Sequence, residues 1–191
     1  MRSFDPRRVG TLECRAWETY YRRKWGAFLI ASIALVRAAF RMNWPRTLVG
    51  AWLVLRANQK WAPFPDNDPD AARALMTSFY KLLRASERDT TINPVRAAEL
   101  EVEWWRAHRQ AQHDGRPDSA EALIKALAHV YAYSYSADPA EVRQAAALRA
   151  EAMDVSDRWV EAGTDPGSPL LAQERALLVR SYAALLAAVH R

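Results

Sequence analysis

Four prolines, each directly behind a residue that caps helices well, constrain this chain more than any other feature: Asp68-Pro69, Asn93-Pro94, Asp138-Pro139 and Ser168-Pro169. An Asp, Asn or Ser side chain at such a position accepts from the free N–H groups of a first helical turn. Proline at the first helical position has φ already set and no N–H to leave unsatisfied. Asp138 is followed three residues on by Glu141, and Asp118 by Glu121, the pattern of a capping box. Together these signals predict seven helices, near 11–42, 46–62, 69–87, 94–113, 118–135, 139–162 and 169–190.

Nothing in the chain competes with that reading. No segment alternates apolar and polar residues as a half-buried strand would, and glycine is scarce at 6 of 191 residues. Half the residues are apolar, enough for one well-buried domain of this length. The expectation is a single all-α domain over 1–191, bundle-like, without internal repeat or linker.

The stretch Phe28 to Phe40, FLIASIALVRAAF, is the most apolar. A membrane span needs about 20 apolar residues, and the run from Gly26 meets Arg37 well before that. No span is expected. Arg22, Arg23 and Lys24 precede it and Trp17, Trp25, Trp44, Trp52 and Trp61 surround it, as in an interfacial anchor. Yet Ala27, Leu29, Ile30, Ile33, Ala34 and Val36 go nearly all the way round the helix, and a helix apolar all round is usually buried. Pro45 stops it, and LVGAWLVLRA then folds back. The reading is a long apolar N-terminal hairpin at the centre of the fold, with peripheral membrane contact not favoured.

Charge divides the chain. Residues 1–62 carry 12 Lys/Arg against 3 Asp/Glu, and the other 129 residues carry 15 against 19. Such polarity fits head-to-tail packing of the halves, self-association or an anionic partner. Nucleic acid is not expected: the only dense basic run, Arg22-Arg23-Lys24, is flanked by aromatics, and no helix-turn-helix spacing stands out. The single cysteine, Cys14, rules out an internal disulfide. It reads as a packed thiol in a reducing cytoplasm, and MRSFDPRRVG lacks the apolar core of a signal peptide.

No motif assigns a chemistry or a cofactor. Phosphate loops, nucleophile elbows and zinc spacings are missing. The nearest approach to a carboxylate-bridged di-iron pattern, Glu99 and Glu103, has Arg106 where the histidine should stand. A haem ligand would have to be His108 or His129, and a single histidine is weak evidence for one. What remains are polar residues on apolar faces, which need a partner or a role. Glu18 sits among Cys14, Tyr21 and Trp25, with Arg22 in pairing range. Arg37 and Arg56 interrupt the two arms of the hairpin, and Asp157 borders Met153 and Val160.

Two function classes follow. The preferred one is a non-enzymatic helical protein acting through a protein partner or a second copy, such as a homodimer, with Arg22, Arg23, Lys24 and Trp44 as its basic, aromatic surface. The alternative is a small-molecule-binding protein or enzyme with a polar pocket between helices, lined by Glu18, Tyr21, Arg37, Arg56, His129 and Asp157. The second expects these polar groups to converge on a cavity. The first expects them paired off in a dry core, with an apolar patch outside.

Overall fold

The computed structural model describes residues 3–87, 91–114 and 118–190, and every regular element among them is a helix. In chain order they are α1 (Pro6–Tyr21), α2 (Trp25–Phe40), α3 (Trp44–Trp61), α4 (Pro69–Ser86), α5 (Pro94–Asp114), α6 (Ser119–Tyr135), α7 (Pro139–Glu161) and α8 (Pro169–Val189).

The four Asx/Ser-Pro signals open α4, α5, α7 and α8. Asp68 accepts from Ala71 N at 2.9 Å, Asn93 from Val95 N at 2.9 Å, and Ser168 from Leu170 N at 3.3 Å. The capping box at Asp138 and Glu141 is present. That expected at Asp118 is not: its side chain makes no cap bond, and Glu121 instead takes both guanidinium nitrogens of Arg143 at 2.8 and 2.7 Å. A two-point contact to a guanidinium outcompetes a single bond to a backbone N–H.

The expected helix over 11–42 is two helices. α1 starts earlier, capped by Asp5 ahead of Pro6, and it ends in a Schellman turn. Lys24 N donates to Thr19 O and Arg23 N to Tyr20 O, both at 2.9 Å, with Arg23 in the left-handed region at φ 53°. That conformation costs a non-glycine residue about 1 kcal/mol. It is offset by the packing it allows: the chain doubles back, and Tyr20, Trp25 and Phe28 form an aromatic cluster in which Trp25 meets both other rings edge-on.

Each helix packs on its neighbours in sequence, as short connections favour. α8 then packs against α1, closing the eight into a ring. The closure is tight because Gly10 of α1 lies against the backbone of α8: a Cβ there would stand 2.7 Å from Val179 N. A ring has no central helix, which corrects the placement of the apolar hairpin. α2 and α3 do pair as a hairpin, but as one arc of the ring. Phe28, Ala31, Ser32 and Val36 turn inward and are buried, while Ile30, Leu48, Val49 and Trp52 are exposed outside. No helix among the described residues is long and apolar enough to cross a membrane.

Candidate functional site

The inner side of the ring borders a partly open cavity of about 220 Å³ to which all eight helices contribute lining residues. A second space of about 90 Å³ adjoins it, and Trp17, Phe28, Asn58, Trp104 and Trp105 border both.

The polar floor of the larger cavity is built on inward helix stripes. α7 buries Val142, Ala145, Ala146, Arg149, Ala152 and Met153, at the spacing of one helical face, so its arginine lies in the core. α1 does the same with Glu13 between Val9 and Ala16. Arg149 Nη2 donates to Glu13 Oε1 at 2.5 Å, and Nη1 to the Tyr131 hydroxyl at 3.4 Å. The guanidinium carbon stands 4.8 Å from the Trp104 ring centroid and 5.9 Å from that of Trp17. Ion pairing and aromatic faces together offset the cost of burying the charge. Glu101 of α5 faces the same cavity and accepts from the Tyr80 hydroxyl at 2.9 Å. Burial pushes its carboxyl above the ordinary carboxylate range, with the positive charge of Arg149 opposing the shift.

The smaller space is bordered by Tyr20, Tyr21, His108, Arg109 and Gln112. Asp157 stands behind it and organises that wall: His108 Nε2 lies 3.0 Å from its Oδ2, and Gln112 Nε2 donates to its Oδ1 at 2.6 Å. Arg109 lies over the Trp61 ring at 4.7 Å and donates to Trp61 O at 3.3 Å.

Of the six residues expected to line a pocket, Tyr21 borders the smaller of these two spaces and the other five border neither, Asp157 holding the wall from behind. Glu18 makes the local ion pair with Arg22, at 2.9 Å. Arg37 donates to Met42 O and lies over Trp44 at the hairpin turn. Arg56 is exposed, donating to Gln59 Oε1 at 3.1 Å, and His129 is exposed on α6. The split of the first helix bears on Glu18 and Arg37, which it places on separate helices.

The four residues expected to form a partner surface are also separated. Arg23 is spent on Ala62 O at 2.9 Å and Arg22 on Glu18, while Lys24 and Trp44 flank opposite ends of α2. Cys14 is a buried thiol whose Sγ donates to Leu171 O at 3.5 Å. Among the described residues no three His, Cys, Asp or Glu side chains cluster as a metal site would need.

Arg149, Glu13 and Glu101 are the residues that reading the sequence missed. The signal was there: each is the one charged residue on an otherwise apolar or small-residue stripe of its helix. No family model, no curated protein and no solved structure matches this chain.

Proposed function

We propose that the chain is a binding protein for a small, mainly apolar molecule with a hydrogen-bond-donating end, held inside the helix ring. The cavity itself carries the reading. Its aromatic walls and the few polar groups that converge on its floor are the makings of a small-molecule site. The space is large enough: an apolar cavity of about 150 Å³ takes benzene.

The lining indicates the chemistry. Tryptophan, phenylalanine and tyrosine rings suit an aromatic or aliphatic body. The floor offers two carboxyls, Glu13 and Glu101, against one guanidinium that is already paired. An acid would meet like charge there, whereas an alcohol or amine would find acceptors.

The test uses benzyl alcohol, benzylamine and benzoate as probes, followed by tryptophan fluorescence and thermal shift. The alcohol and the amine are expected to raise the melting temperature and shift the emission, since three tryptophans border the cavity, and benzoate to do so far less. Ser32→Leu, which adds volume into the cavity, should leave stability unchanged or higher and abolish both responses. If no probe changes the fluorescence and Ser32→Leu costs the roughly 1–3 kcal/mol typical of overpacking a filled core, the reading is wrong.

A further inference from the structure

We propose that the outer face of the α2–α3 hairpin docks this protein onto an anionic lipid surface. This inference does not depend on the cavity. Of the seven large apolar side chains exposed among the described residues, five are on this hairpin: Ile30 at 70%, Trp44 at 59%, Leu48 at 50%, Val49 at 51% and Trp52 at 51%. Trp44, Leu48 and Trp52 are four residues apart and so form a single row on α3. Ile30 and Arg37 lie on the outer row of α2, and Arg37 sits over the Trp44 ring at 5.1 Å, joining the two rows at the turn. α2 packs on α1 and α3, and α3 on α2 and α4, with the ring interior on the opposite side.

Charge selects the occupant. From residue 19 to residue 65 the chain has eight Lys/Arg and no Asp or Glu. Several of these cations bracket the apolar rows. Arg41 is exposed at the turn, and Arg56 and Lys60 are exposed where the row of Trp52 continues. Lys24 is exposed at the start of α2. Acidic residues resume only at Asp66 and Asp68, beyond the end of α3. An apolar strip with tryptophans at its edge and a cationic rim is what an interfacial element presents to anionic headgroups. α2 and α3 have 16 and 18 residues, about 24 and 27 Å long, and would lie in the plane of the surface. A symmetric dimer through the same face would set each cationic rim against its own copy, which argues against a second chain as the occupant.

Vesicle flotation tests this, comparing pure phosphatidylcholine with mixtures holding about a third phosphatidylserine. The protein should float with the mixed vesicles and not with the neutral ones. Binding should fall as salt rises, and tryptophan emission should move to shorter wavelength on binding. The variant Ile30→Ser/Trp44→Ser/Trp52→Ser should reduce binding at least ~tenfold. Its melting temperature should be unchanged, since all three side chains are exposed. Arg41→Glu/Arg56→Glu should reduce binding comparably while leaving the apolar rows intact. Absence of binding to the mixed vesicles would overturn the proposal. So would sedimentation showing a dimer that the serine variant dissociates while vesicle binding stays the same.

Discussion

Glu174, fully buried on α8, shows how one side chain can set the pH response of the whole protein. Burial raises its carboxyl to about 8 from 4.5, with the charges of Glu13 and Glu18 adding and contacts from Cys14 and Ser156 opposing. The folded form therefore holds a proton that the unfolded chain releases above pH 4.5. Stability from this group is complete below that value and is lost as the pH climbs to about 8, a penalty on the order of 5 kcal/mol. Glu174→Gln keeps the shape of the neutral acid and does not titrate. Urea midpoints for the two proteins should nearly coincide at about pH 5, with the variant more stable by a few kcal/mol at about pH 8. A difference that stays constant with pH would show that the carboxyl is not protonated in the fold. Single residues were also where the sequence was hardest to read. Glu18 and Arg149 look alike as charges amid apolar neighbours. Glu18 has a partner one turn away in Arg22, whereas Arg149 meets Glu13 only through the packing of α7 on the rest of the ring.

At the scale of elements, most helix bounds were legible and the break between α1 and α2 was not. An Asx or Ser before proline acts locally, so Asp68, Asn93, Asp138 and Ser168 cap in the structure as their neighbours dictate. Asp5-Pro6 is the same signal at the start of α1 and could have been read the same way. The end of α1 could not, because Arg23 holds the left-handed position that glycine usually signals, as Gly163 does after α7. The Asp118–Glu121 box failed for a non-local reason, the arrival of Arg143 from α7. Ring closure was equally hidden in the sequence, although one glycine carries it. In Gly10→Ala the new methyl would meet the backbone of Leu178 and Val179 at under 3 Å, and backbone cannot rotate aside as a side chain would. α1 and α8 must separate, at a cost of about 1–3 kcal/mol. Thermal unfolding of Gly10→Ala beside Gly26→Ala, where nothing lies within 4 Å, isolates the effect. Equal melting temperatures for the two variants would mean that the α1–α8 seam takes up the added methyl without cost.

Across the whole molecule, the ring is unevenly held. α7 against α8 is the most extensive contact and α2 against α3 the least, and α2–α3 is also the arc with apolar side chains left exposed. A hairpin so placed should open before the rest does, because local opening follows the density of buried contacts. Amide hydrogen exchange is expected to be slowest in the buried turns of α7 and α8, at the free energy of global unfolding. In α2 and α3 it should be faster, through an opening that leaves the other helices folded. Phe28, Ser32 and Val36 of α2 line the cavity, so an occupant there touches the least secured wall. Benzyl alcohol at saturation should then slow exchange in α2 by a larger factor than in α7, since it binds the closed ring and not the opened one. Exchange at one common rate in all eight helices, with and without the probe, would mean that the ring opens only as a whole. The hairpin would then be no more mobile than the helix pair opposite, and its two faces, one on the cavity and one on the surface, could not be coupled through its opening.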